Sequence, residues 1–383
     1  MRIDAKKGNH GMKRPAPLTL GYREMIKEIS RSDPVEETTI ADAAQYETLL
    51  LSITSPMEIE KILALGYQKP TGQRVIAGGM GALNPWPLYD LLDVMVFGRA
   101  EGIGALALSE KSSTYIWRKA EDPGVEGVYG IRQAARMLDG ERAIGCPNKC
   151  LYCQYTWIRQ CTSFDGYDPG MVRPEDDWNR IDVVGPGRYI TAIDGLSQST
   201  RDRVHKSISD DQIIAKIRAI QALDLASAVV IKVFQIVGYP WETPESVLKD
   251  LGEFRDLMAR ADSAEGGRVV IMMLFTPFSP EPLTPMEGMP IKAYSWRSVI
   301  EASGRSVYWS DHLEVFILPQ IQLAKTLARR ILINRCCRED NSILTRLLAE
   351  PPLIFKEWSG YRHLQSPYLS FQRIKTIWQQ TGD

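Results

Sequence analysis

Ala228-Val229-Val230-Ile231-Lys232-Val233-Phe234, a helical pattern from Pro244 to Ala261, and Val269-Val270-Ile271-Met272-Met273-Leu274-Phe275 follow one another along the chain, and their succession decides the fold. The two outer runs are short, apolar and rich in β-branched residues, which is the signature of buried strands. An earlier strand, Tyr189-Ile190-Thr191-Ala192-Ile193, and a helix from Asp210 to Leu223 repeat the unit. Repeated βα units predict a full or partial (β/α) barrel, with its chemistry at the C-terminal ends of the strands. We place it at 141–295.

Upstream, Glu47-Thr48-Leu49-Leu50-Leu51-Ser52-Ile53 reads as a strand. Ser55-Pro56 opens a helix carrying Met57, Ile59, Ile62, Leu63 and Leu65 and ending at Gly66. Arg74-Val75-Ile76-Ala77 runs into Gly78-Gly79, and Asp93-Val94-Met95-Val96-Phe97 into Gly98, completing a small α/β domain at 41–110. Residues 1–40, polar and broken by Pro15, Pro17 and Pro34, read as a flexible N-terminal arm. Residues 111–140, with the turn pair Pro123-Gly124, read as a connector. From Trp296 to the end, 296–383, the chain reads as mostly helical, with an apolar-periodic stretch from Ile321 to Ile333.

The 46 Lys and Arg nearly cancel the 47 Asp and Glu, so net charge gives no reason to expect nucleic acid or an anionic membrane as the main partner. No apolar run is long enough for a membrane span. The basic start, Met1 to Pro17, is followed by no apolar segment and does not read as a secretory signal. The expectation is a cytoplasmic protein.

Four of the six cysteines, Cys146, Cys150, Cys153 and Cys161, fall within sixteen positions; Cys336 and Cys337 are adjacent. Adjacent cysteines seldom pair, and disulfide frameworks belong to short secreted chains, so the crowding points to metal. In Gly145-Cys146-Pro147-Asn148-Lys149-Cys150-Leu151-Tyr152-Cys153, a zinc site would want a second cysteine knuckle or a His pair, and neither follows. Three thiolates without a fourth protein ligand fit a [4Fe–4S] cluster with one open iron better. Cys161 is the competitor for a fourth ligand; otherwise it is a small buried hydrophobe, as are Cys336 and Cys337.

This Cys-x3-Cys-x2-Cys run, with the aromatic Tyr152 before its last cysteine, resembles the signature of the radical SAM superfamily. So do Ala192-Ile193-Asp194-Gly195-Leu196-Ser197-Gln198-Ser199-Thr200-Arg201 with His205-Lys206-Ser207-Ile208-Ser209, and Ile236-Val237-Gly238-Tyr239-Pro240-Trp241-Glu242-Thr243. The resemblance spans about 140–285 and follows a strand-like Arg142 to Gly145. It implies an enzyme in which a cluster on Cys146, Cys150 and Cys153 reductively cleaves S-adenosylmethionine (SAM) to a 5′-deoxyadenosyl radical that abstracts hydrogen from a substrate. It implies further that Tyr152 lies near adenine, that Asp194 meets the ribose or amino group and Arg201 the carboxylate, and that Ser197 and Gly238 belong to the same SAM site. Phe275-Thr276-Pro277-Phe278-Ser279-Pro280-Glu281-Pro282-Leu283-Thr284-Pro285 is similar to the proline-rich loop of members with an N-terminal cobalamin-type domain, making Phe278 and Glu281 substrate-loop candidates. The partners implied are a small-molecule or peptide substrate and an electron donor such as flavodoxin or ferredoxin.

Ile76-Ala77-Gly78-Gly79-Met80-Gly81-Ala82-Leu83-Asn84-Pro85 and Gly98-Arg99-Ala100-Glu101-Gly102 look like the last half of that cobalamin-binding-type, Rossmann-like domain, shortened at its start. The Asp-x-His-x-x-Gly that supplies a cobalt ligand is absent, which leaves cobalamin as a cofactor open. Cobalamin-dependent methyl transfer is therefore one alternative. A tRNA methylthiotransferase-like enzyme and a non-catalytic iron–sulfur protein are two others, the former disfavoured because no cysteine precedes Cys146.

Overall fold

The computed structural model describes residues 42–121, 129–132, 146–158, 178–290 and 306–335, apart from positions 54, 80, 112, 147, 224 and 264, together with Met25 and Glu28. These residues form an α/β protein with two sheets. No helix among them is long and apolar enough to cross a membrane.

The N-terminal sheet runs β1 (Thr48–Ser52), β2 (Arg74–Gly78), β3 (Val94–Val96), β4 (Ile116–Arg118). The first three strands are parallel, as their strand–helix–strand spacing predicts, and β4 returns antiparallel to β3. Between β1 and β2, α1 (Pro56–Ala64) starts where the sequence places it. Ser55 and Glu58 form a capping box and Pro56 sits in the first turn, where a missing N–H costs nothing. A short helix, α2 (Gly104–Leu108), follows β3.

Two expectations need correcting here. Part of the 111–140 connector belongs to this sheet: β4 lies inside it, and Arg132 bridges Gly98. The strand is only three residues long, too short for periodicity to reveal. The 1–40 arm is not wholly free either. Met25 is fully buried in the N-terminal core, and the Glu28 carboxylate accepts from the Gly102 and Gly104 amides at the start of α2.

The second sheet has the order β5-β6-β7-β9-β8. β5 (Gly187–Ala192), β6 (Val229–Val237), β7 (Val269–Pro277) and β9 (Leu313–Pro319) are parallel, and β8 (Ser306–Trp309) closes one edge antiparallel to β9. α4 (Gln198–Arg203) and α5 (Asp210–Gln221) connect β5 to β6; α6 (Pro244–Ala261) connects β6 to β7. Strict alternation along β6 buries Val229, Ile231, Val233 and Val237 in one core with Ile271, Met273, Val315 and Ile317.

The region 296–383 is thus not mostly helical in its described part, because β8 and β9 extend the sheet before α7 (Ile321–Arg335) begins. The strand signal is the alternation of Leu313, Val315 and Ile317, all buried, beyond the turn at Ser310 to His312. The segment 142–145, residues 291–305, and Cys161, Cys336 and Cys337 lie outside the described residues.

α7 then crosses to the N-terminal unit. Arg329 pairs with Glu60 of α1 at 3.5 Å, and Ile333 is buried in the N-terminal core beside Ile158 and Leu283.

Candidate functional site

The cysteine loop enters α3 (Gln154–Ile158) and is fastened by its own backbone and by the turn between α4 and α5. The Cys153 amide donates to the Cys150 carbonyl, Leu151 N–H to Val204 O, and the Trp157 indole to Cys150 O. The buried Cys150 thiol donates to the His205 carbonyl at 3.7 Å. Burial pushes this thiol up to about 12, with Lys206 opposing and Asp194 and Cys153 adding to the rise. Burial likewise raises Cys153, to which the neighbouring Cys146 contributes. Cys153 thus bears on the ionisation of Cys150, and Cys146 on that of Cys153. Among the described residues no three His, Cys, Asp or Glu side chains are gathered as ligands of a single metal ion.

The loop lies over the C-terminal ends of β5, β6 and β7. Tyr152 Oη donates to Asp194 Oδ2 at 2.6 Å, and Lys206 Nζ meets the same oxygen at 2.9 Å. Asp194 Oδ1 makes no hydrogen bond among the described residues. Tyr239, just past β6, donates to the Asp194 carbonyl at 2.8 Å and stacks parallel on Trp241, with ring centroids 5.0 Å apart. Gln154 donates to the Pro282 carbonyl, tying the cysteine loop to the proline-rich segment after β7. Every non-glycine residue with positive φ among the described residues is here: Lys149 (48°), Asp194 (53°), His205 (60°) and Leu283 (64°). Such backbone costs about 1–3 kcal/mol per residue and collects at ligand sites, where the surroundings over-determine it.

The geometry gives several of the expected contact residues partners within the chain. Arg201 is fully buried: Nε donates to Ile208 O, Nη1 to Gly195 O and Leu196 O, and Nη2 pairs with Asp210. Its donors close the β5–α5 turns. Ser197 caps α4, accepting from Thr200 N–H and donating to Asp250. Phe278 is buried against Val204, Tyr239 and Met286 and packs with Leu151 and Tyr152 of the cysteine loop. Glu281 is gripped by Arg330 of α7.

Tyr152 and Asp194 do stand at the site, joined to each other. Their partners Lys206 and Tyr239 lie inside the motif stretches, and only the folded turn singles them out. Arg330 carries no local signal at all.

Gly238 has φ +88° and donates to Glu242 Oε2, which also accepts from Tyr239 N–H. Burial raises this carboxyl to about 7 from 4.5, outweighing the two hydrogen bonds that favour its charge. A raised carboxyl stabilises the fold most below its unfolded pKa and loses that contribution as pH climbs to 7. Glu242→Gln should therefore remove about 3 kcal/mol of pH-dependent stability between pH 4.5 and 7. Urea unfolding of both proteins at pH 5 and pH 8 checks this, and parallel pH profiles would refute it.

The N-terminal residues do not fit a corrin. A Cβ at Gly79, where φ is +113°, would sit 2.4 Å from the Ile53 carbonyl oxygen, and one at Gly98 2.4 Å from that of Arg132. These glycines serve the chain's own backbone contacts. Residues 81–88, after β2, are buried, and Asn84 donates to the Ile333 carbonyl of α7. Among the described residues, α7 covers the strand-end side where an open α/β sheet would receive a ligand. Gly79→Ala should cost about 2–3 kcal/mol from strain and clash. An unchanged denaturation midpoint would contradict it.

No protein-family model matches the chain, and no curated protein sequence matches it.

Proposed function

We propose that the chain is a radical SAM enzyme whose catalytic domain is a partial (β/α) barrel built on the second sheet. The observation that carries this reading is the cysteine loop fastened over the ends of β5, β6 and β7 through Tyr152, Asp194 and Lys206. Strand ends of parallel sheets are where α/β proteins bind ligands.

Thiol donors suit iron and sulfide rather than magnesium or calcium. A cluster takes its thiolates on separate irons, whereas one zinc needs sulfurs converging within about 2.3 Å of a point. Three cysteines spaced along one loop, with no second knuckle, fit the cluster. Cys146, Cys150 and Cys153 would hold it. When bound, it supplies the single electron that splits SAM into methionine and a 5′-deoxyadenosyl radical, which takes hydrogen from a second substrate.

The protein's own share is position and electrostatics. Lys206 and the Tyr152 hydroxyl hold Asp194 with one oxygen outward, as a hydrogen-bond acceptor for a ribose hydroxyl or an ammonium group. Lys206, nearly buried beside Cys150, favours the thiolate form that a metal ligand requires. The covered aromatic shelf of Tyr152, Tyr239 and Trp241 keeps one side of the site apolar, which limits quenching by water. An external one-electron donor of the flavodoxin or ferredoxin type completes the scheme. No step uses cobalamin.

The test is anaerobic reconstitution with iron and sulfide, then SAM and dithionite, with 5′-deoxyadenosine measured chromatographically. An intact cluster that yields none would leave an iron–sulfur protein of another kind.

A further inference from the structure

The two faces of the second sheet differ. On one, Val229, Ile231, Val233 and Val237 of β6 join the core against α5 and α6. The alternate residues of β6, Val230, Lys232, Phe234 and Ile236, point to the other face. The parallel registers put Met272 of β7 and Phe316 of β9 level with Lys232, and Ile190 of β5 on its opposite side. All seven side chains stay partly accessible although β6 and β7 are inner strands, and Ile190 is 41% exposed. Side chains in the middle of a sheet reach solvent only where open space lies over them. This face is therefore the apolar wall of a hollow.

Two cations interrupt the wall. Lys232 makes no ion pair or hydrogen bond among the described residues. Nor does Arg188, which β5 sets two residues lower, level with Val230. Strand spacing and a two-residue rise put the two Cα atoms about 8 Å apart, within reach of a shared group. Glu314, the one acid on this face of the four parallel strands, is taken by Arg268 at 2.9 Å. A lysine and an arginine left without a carboxylate, set in an apolar wall, suit an oxyanion carried on an apolar body. The cations hold the charge, and the wall takes the hydrocarbon.

We propose that Lys232 and Arg188 bind the carboxylate or phosphate of an elongated apolar ligand lying along the inner face of the second sheet. Lys232 stands five residues before Val237, the end of β6, or about 16 Å along the strand. A ligand anchored there extends toward Asp194 and the cysteine loop at the strand ends. That it is the second substrate rests on the function proposed above; the anion site does not.

Full-length protein would be titrated calorimetrically with decanoate, decyl phosphate and decanol, each kept monomeric. At least one anion should bind about 10- to 100-fold more tightly than decanol, whose neutral head forgoes the charge-assisted bonds. The anion that binds names the head group. Lys232→Met keeps an apolar stem and removes the charge. It should weaken anion binding at least ~10-fold and leave decanol binding unchanged. Anions that bind no better than decanol, or as well to Lys232→Met as to the wild type, overturn the proposal. A second reading needs no variant: reductive methylation of Lys232 in the wild type, followed by peptide mass spectrometry, should slow with the bound anion and not with decanol. Equal labelling throughout, or none in the free protein, overturns the proposal as well. Neither experiment needs SAM or turnover. A protein that makes no 5′-deoxyadenosine yet binds the anion loses the proposed function and keeps this site; one that makes it without binding the anion loses the site alone.

Discussion

Cys150→Ala is expected to lose its iron and sulfide on reconstitution and to make 5′-deoxyadenosine at least ~100-fold more slowly than the wild type. Changing a residue that only supports a metal ligand commonly costs 10- to 100-fold, and removing a ligand itself should exceed that. The fold should survive. Cys150 is a small buried side chain, and its truncation leaves a slight cavity worth about 1 kcal/mol. Cys161→Ala is the control, expected to keep both cluster and activity if three thiolates suffice. Iron and sulfide assays with the visible absorption spectrum read the first claim, and chromatography the second. A Cys150→Ala protein that retains a four-iron cluster, or a Cys161→Ala protein that loses it, would reassign the ligands.

Arg201→Ala should unfold far more easily than the wild type, by about 3–5 kcal/mol. The guanidinium satisfies three backbone carbonyls and Asp210 from a fully buried position. Removing it strands those acceptors, and stranded buried acceptors carry the full desolvation penalty. Lysine should not rescue it, since a single ammonium lacks the planar fork that reaches acceptors on both sides. The Arg201 stem also packs closely on Gly195, where a Cβ would lie 2.8 Å from its Cγ, and truncation gives up that contact. Chemical denaturation reads the effect. Wild-type stability with weakened SAM binding would restore Arg201 to the ligand role that its motif implies.

Two arginines show where local reading stops. Arg201 sits in a stretch that resembles a ligand motif, yet its donors are claimed by carbonyls at 195, 196 and 208, brought to it by the turns around α4. Arg330 sits in an ordinary amphipathic helix, and its partner Glu281 is 49 residues away. Neither role follows from neighbours in sequence. Lys206 is intermediate: it stands within the quoted motif, but only the left-handed turns at Asp194 and His205 aim it at the same carboxylate as Tyr152.

The elements divide in the same way. β1, α1, β6, α6 and β7 were legible because each carries its own signal, an apolar run or a cap such as Ser55 with Glu58 or Thr243 with Ser246. Such signals act over three or four residues and need no partner. The three-residue β4 was not legible, since so short a strand becomes one only by finding β3, and β9 was missed although Leu313, Val315 and Ile317 alternate along it. The cysteine spacing likewise carries the expectation of a cluster by itself, because positions 146, 150 and 153 lie in one short loop. Their setting over the strand ends, the withdrawal of Arg201 into the core and the arrival of Arg330 are long-range facts. They depend on which surfaces the closed chain brings together, and no window of sequence contains both sides of such a contact.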